Sequence, residues 1–191
     1  MPEPIKVLAF AGSLRSGSFN KKLVQAAAQI ARKAGAEVTV VDLRDFNMSL
    51  YDGDDEADSG IPEGALRFKQ VISSHDALLI SAPEYNSSIS GVLKNAIDWA
   101  SRPPDQPFAG KPVAIMGAGA GMAGTARAQY DLRRCCVFLD MHPINKPEVL
   151  IGVAHTKFDA EGAFTDEAGR GFIRDLLVAL ERWTRLIARK N

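Results

Sequence analysis

Five apolar runs of strand length alternate along this chain with segments whose apolar residues recur at helical spacing. That alternation narrows the accessible folds more than any other feature. "IKVLAFA" (5–11), "AEVTVVDL" (36–43), "DALLISA" (76–82), "KPVAIMGA" (111–118) and "PEVLIG" (147–152) read as strands bounded by polar or turn residues. Residues 20–35, 62–75, 90–102, 125–138 and 166–191 read as helices, the first ended by Gly35. The stretches 45–61 and 102–111 show no such pattern and read as irregular. Strands without polar alternation are buried on both faces, which requires a parallel sheet covered by helices.

Five such strands predict a doubly wound α/β domain of flavodoxin-like type: a five-stranded parallel sheet, order 2-1-3-4-5, with helices on both faces. At 191 residues the chain can bury one core, and without repeat or linker 1–191 reads as a single domain. Lys plus Arg equals Asp plus Glu at 23 each, so nothing favours a nucleic-acid partner. No apolar run approaches bilayer length, so no membrane partner is expected, and "MPEPIKVLAFAGS" reads as a first strand rather than a signal peptide. Cys135 and Cys136 are adjacent, which bridge geometry disfavours. They read as small core residues of a helix in a reducing cytoplasm.

In such folds ligands sit beyond the carboxyl ends of the strands, which selects three loops. After the first strand comes "AGSLRSGSFN" (11–20), where Gly12 permits a sharp exit. Ser13, Ser16 and Ser18 offer hydroxyls and Arg15 a planar cation beside unpaired helical amides, a composition suited to phosphate. A simple helix cap by Ser18 or Asn20 is the plainer reading, but a cap needs one such residue. No Lys-Ser or Lys-Thr follows the glycine, so this is not a Walker loop. After the third strand, "PEYNSSISGVLKNAIDW" (83–99) opens with Pro83, Glu84, Tyr85 and Asn86, a loop edge fitted to a flat heteroaromatic ligand. After the fourth, "GAGAGMAGT" (117–125) contains a literal G-x-G-x-x-G from Gly119. It lies on the wrong strand for a dinucleotide fingerprint and has no obvious acidic partner downstream. Gly117, Gly119 and Gly121 are read instead as letting main-chain amides approach a planar ring.

His75, His142 and His155 are scattered without metal-ligand spacing, so no metal site is expected. The acidic run Asp52, Asp54, Asp55, Glu56 and Asp58 reads as a solvated loop.

"GSLRSGSFN" (12–20) and "PEYNSSISGVLKNAIDW" (83–99), supported by "LYDGD" (50–54), "PDQPFAGKPV" (104–113), "ARAQYDLRRCCVFLD" (126–140) and "NKPEV" (145–149), resemble the NADPH-dependent FMN reductase family. The likeness runs through nearly the whole chain and is strongest to the bacterial chromate/quinone reductase branch. It implies bound FMN, with Ser13, Arg15, Ser18, Phe19 and Asn20 cradling its phosphate. Pro83, Glu84, Tyr85 and Asn86 would flank the isoalloxazine, largely through backbone atoms. Related sequences often carry serine where this chain has Gly117, Ala118 and Gly119, so contacts there fall to main-chain amides.

The resemblance further implies hydride transfer from NADPH or NADH to the flavin, then electron transfer to quinones, chromate, azo compounds or free flavin. One open flavin face would give ping-pong kinetics, with no protein nucleophile or base. It also implies a cytoplasmic homo-oligomer, dimer or tetramer. Arg127, Tyr130 and Arg134 share a helix face that could join subunits, with Glu148 as a partner. The alternatives are an FMN electron carrier without fast NAD(P)H oxidation, and a non-redox nucleotide-binding protein.

Overall fold

The computed structural model describes residues 3–188. The chain runs β1 (Lys6–Ala11), α1 (Phe19–Lys33), β2 (Glu37–Asp42), α2 (Gly53–Ser59), α3 (Glu63–Ser73) and β3 (Ala77–Ser81). A hairpin of β4 (Glu84–Tyr85) and β5 (Ser88–Ile89) follows, then α4 (Gly91–Ala100), β6 (Pro112–Ala118) and α5 (Ala126–Phe138). The segments β7 (His142–Pro143) and β8 (Val149–Ile151) precede the final helix α6 (Glu167–Ala188). The expected end of that helix, past residue 188, lies outside the described residues.

The main sheet has the order β2-β1-β3-β6-β7, and all its pairs are parallel. Its fifth position is shared by two segments. β7 pairs with the start of β6 at Pro112–Val113, and β8 pairs with its end at Met116–Ala118. The expected strand over 147–152 is therefore only the upper half of an interrupted edge. Pro143 and Pro147 lack the amide donors that a continuous ladder would need.

The absence of polar alternation in the strands has a direct cause. Val7 and Ala9 point to the face covered by α1 and α6, where they meet Leu23, Ala27, Ile173 and Leu176. Leu8 and Phe10 point to the opposite face, among Phe68, Ile72, Leu93 and Leu132 of α3, α4 and α5. Both faces are dry, so both sets of side chains must be apolar.

The stretch 45–61, expected to be irregular, begins within a 3-10 turn at Leu43–Phe46 and contains the helix α2. Asp52 caps α2 by accepting from the Asp54 amide at 2.9 Å, and Asp54, Asp55 and Glu56 suit its positive end. None of its residues is buried, so the helix leaves no apolar periodicity to read. The segment is strapped to α4: Trp99 Nε1 donates to the Ser49 carbonyl at 2.8 Å and the Tyr51 amide to Asn95 Oδ1 at 2.8 Å. Arg102 Nε donates to Glu56 at 2.9 Å. Among the described residues no helix is long and apolar enough to cross a membrane.

Candidate functional site

β1 leaves the sheet beside β3, where the strand order reverses, and its exit is tightly packed. A Cβ on Gly12 would stand 2.9 Å from Leu93 Cβ and 3.2 Å from Pro83 Cδ. The Gly12 amide donates to the Ser81 carbonyl at 2.9 Å, and Ser90 Oγ donates to the Gly12 carbonyl at 2.5 Å. The first and second ligand loops are thus fastened at their roots. Ser13 is buried, and its Oγ accepts from the Arg15 amide, shaping the loop from beneath.

Ser18 caps α1 by accepting from the Asn20 amide at 3.2 Å, which leaves its own proton free to donate. The first turn of α1 contains no acidic residue. The Arg15 guanidinium touches the Gly17 carbonyl at 3.4 Å, and among the described residues it forms no ion pair. An unpaired cation beside a helix N-terminus is an anion-binding arrangement.

These groups open into a cleft of about 620 Å³ that receives all three loops. Arg15, Ser18, Phe19 and Asn20 line one end, Pro83, Glu84 and Tyr85 a second side, and residues 118–124 with Arg127 the rest. Of the residues named from sequence, Ser13, Asn86 and Gly117 are not in this lining. Asn86 and Ser87 take φ of 51° and 64° at the tip of the β4–β5 hairpin, the left-handed pattern of a two-residue turn. Ser16 faces a separate hollow that also holds Lys21 and Asp42.

Several side chains in the lining are committed to the protein itself. The Asn20 amide group makes three buried bonds, to Ser81 Oγ and to both backbone groups of Ala118. Glu84 turns its carboxylate to the start of α5, where it accepts from the Arg127 amide at 2.9 Å and the Ala128 amide at 3.2 Å. What Glu84 presents to the cleft is therefore mainly backbone.

The glycine loop divides in the same way. A Cβ on Gly117 would collide with Thr125 Oγ1 at 1.9 Å, and one on Gly119 with the Gly124 carbonyl at 2.3 Å. The Gly119 amide is spent on Ile151 O at 2.9 Å. These two glycines serve close packing of the protein, whereas a Cβ on Gly121 would meet open space. The main-chain donors still free for a ligand are those of residues 120–123, which make none of the loop's internal bonds.

Ala120, Met122, Ala123 and Arg127 also line the cleft, although their residue types alone gave no reason to expect them there. The literal glycine motif contained the signal for this loop. Arg127, expected at a subunit contact, pairs within the chain through Nη1 to Glu84 Oε1 at 3.1 Å. Tyr130 donates to Glu148 at 3.0 Å, and Arg134 lies 3.6 Å from Asp131. Lys146, 2.8 Å away, and the Tyr130 hydroxyl together hold the Glu148 carboxyl below the usual carboxylate range.

A larger hollow of about 690 Å³ runs between α4 and α5, past Lys94, Asp98, Cys135 and Phe138. It follows the flanks of the two helices and the short strand β5, and includes no part of the phosphate-type loop. No group of His, Cys, Asp and Glu suited to a metal occurs among the described residues.

A phosphorylated planar heterocycle fits the cleft chemically. Arg15, Ser18 and the α1 amides match a phosphate, and the Pro83–Tyr85 edge and free amides of 120–123 match a polar-edged ring. Residues 5–156 match the family described as NADPH-dependent FMN reductase. The chain is 51% identical over 185 residues to an NAD(P)H-dependent FMN reductase of Pseudomonas aeruginosa, covering 97% of this chain and 98% of that protein. It is 42% identical over 181 residues to an NAD(P)H:quinone oxidoreductase of Solanum tuberosum, covering 93% and 91%. Among solved structures, FerB of Paracoccus denitrificans, described as a flavoenzyme NAD(P)H:(acceptor) oxidoreductase, superposes with a TM-score of 0.83 at 33% identity. That match covers 95% of this chain and 98% of FerB.

Proposed function

The chain belongs to the NADPH-dependent FMN reductase family, and we propose that its three-loop cleft holds FMN and reduces quinones at the expense of NADPH or NADH. Membership makes it an NAD(P)H-dependent FMN oxidoreductase. The single observation that carries the placement of the flavin is the convergence of Arg15, Pro83–Tyr85 and residues 118–124 on one cleft at the switch point of the sheet.

When bound, FMN would supply the two-electron redox chemistry that links nicotinamide to acceptor. The balance is NAD(P)H, one proton and a quinone giving NAD(P)⁺ and a hydroquinone. The protein binds and orients. Arg15, Ser18 and the first-turn amides of α1 hold the phosphate. The backbone of 83–85 would border the ring, and the amides of 120–123 would offer it hydrogen-bond donors. Tyr85, half exposed, and Met122, largely exposed, leave an apolar mouth that a planar acceptor can enter.

The same reading takes chromate, azo compounds and free flavin as further acceptors, because the donor is the flavin rather than a shaped substrate pocket. Donor and acceptor would use one open face in turn, with ping-pong kinetics. The reading further takes the chain as a single flavin-binding unit, working in the cytoplasm as a dimer or tetramer. The exposed Tyr130, Val137 and Phe138 of α5 support self-association.

The test is a visible spectrum of protein reconstituted with FMN and desalted, followed by anaerobic titration with NADPH. Retained flavin absorbance that bleaches rapidly and returns on adding a quinone is the expected result. Retained flavin that bleaches slowly would indicate an electron carrier, and no retained colour would overturn the placement.

A further inference from the structure

We infer that Asn20 and Ser81 form a positioning device that sets the glycine loop against the phosphate loop, and that flavin affinity depends on it although Ser81 lies outside the cleft. The inference rests on the reading of that cleft as the FMN site. Asn20 Nδ2 donates to the Ala118 carbonyl at 2.9 Å, and Asn20 Oδ1 accepts from the Ala118 amide at 3.0 Å and from Ser81 Oγ at 2.8 Å. One side-chain amide thereby joins the first turn of α1, the end of β3 and the end of β6, the roots of all three cofactor loops.

Asn20 and Ala118 are each only 4% exposed and Ser81 is 0% exposed, so water cannot replace a lost partner without opening the packing. Three bonds leave Asn20 one free amide proton, which restricts any direct part it has in holding phosphate. Ala118 is the residue from which the loop 119–124 departs, and its two backbone groups are both held by this one side chain. A tilt at Ala118 would carry the free amides of 120–123 with it. The Asn20 contact spans 98 residues and the Ser81 contact 61, so neither arises from local turn chemistry.

The experiment compares FMN and riboflavin binding to Ser81→Ala, Asn20→Ala, Arg15→Ala and the unaltered protein, by quenching of flavin fluorescence. Amide exchange at Ala118 is followed in the flavin-free proteins. Ser81→Ala is expected to weaken both flavins alike, by about threefold to tenfold, the worth of one buried hydrogen bond. Asn20→Ala should weaken both by more, and the Ala118 amide should exchange faster in each variant. Arg15→Ala should weaken FMN selectively, because riboflavin has no phosphate.

Unchanged affinity in a folded Ser81→Ala protein would overturn the inference, as would a loss confined to FMN in Asn20→Ala, the mark of direct phosphate contact. A lower thermal midpoint with unchanged affinity would reduce the pair to a structural role and also overturn it. Should the unaltered protein fail to bind either flavin, or Arg15→Ala leave the FMN-to-riboflavin ratio unchanged, the cleft reading itself would be what fails.

Discussion

Glu84 and Arg127 meet twice: the carboxylate accepts from the Arg127 amide at 2.9 Å and from its guanidinium at 3.1 Å. A loop on one side of the cleft thereby caps the helix on the other. Thr125, in the ordinary capping position of α5, makes no side-chain cap bond, so Glu84 performs that task from a distance. Glu84→Ala is expected to destabilise the fold by about 1 kcal/mol, the usual worth of a cap with its dipole interaction, and Glu84→Gln by less. Urea unfolding at neutral pH checks both. Equal loss in the two variants would point to the charge rather than the cap.

Two of the lining glycines of the third loop, Gly119 and Gly121, should respond differently to a methyl group. Gly119→Ala drives a Cβ into the Gly124 backbone and is expected to cost about 1–3 kcal/mol. Gly121→Ala meets open space and should stay within about 0.5 kcal/mol of the parent. Denaturant midpoints of the pair decide the matter, and a destabilised Gly121→Ala would mean the loop is more tightly packed than its geometry indicates.

The adjacent cysteines should be poor nucleophiles. Burial pushes the Cys136 thiol up to about 12, and burial also raises that of half-buried Cys135. At pH 8 the Cys136 thiolate is then roughly one part in ten thousand. A disulfide reagent added to the native protein should release colour slowly, from Cys135 first, and from both thiols at once after unfolding. Prompt release of two equivalents from native protein would contradict the burial argument.

The strap over α4 should loosen in acid. Arg102 donates to Glu56, and with the Tyr51 hydroxyl holds its carboxyl below the ordinary carboxylate range. A depressed folded-state value contributes stability fully above the unfolded value and loses it as pH falls through the folded one. The strap is therefore held at neutral pH and released only below the normal carboxylate range. Arg102→Ala should shift that release to higher pH. Tyr51 meets Trp99 edge-on at 5.0 Å, so tryptophan emission against pH, with proteolysis of 47–60, reports it. Identical acid profiles in both proteins would show that the ion pair does not hold the strap.

The architecture was legible because it is periodic. Strands dry on both faces must be apolar throughout, and helices facing one sheet must repeat near every fourth residue, so both patterns are visible within a dozen residues. The position of the cleft was legible for the same reason: Arg15, Ser18 and the glycine run are local departures from that pattern at strand ends. Helix α2 was not, since a helix that buries nothing carries no apolar period.

What the sequence determined by itself was the main strands and the helices with an apolar face, their parallel order and the three loops at the strand ends that meet in the cleft. What only the tertiary structure decided was how the polar side chains of those loops are employed. Asn20 serves Ala118 across 98 residues, Glu84 serves the start of α5 across 43, and Gly119 makes room for Gly124 rather than for a ligand. A side chain's hydrogen-bonding capacity is written in its chemistry. Its partner is chosen by which backbone the folded chain brings within about 3 Å, and separations of that length leave no trace in local spacing.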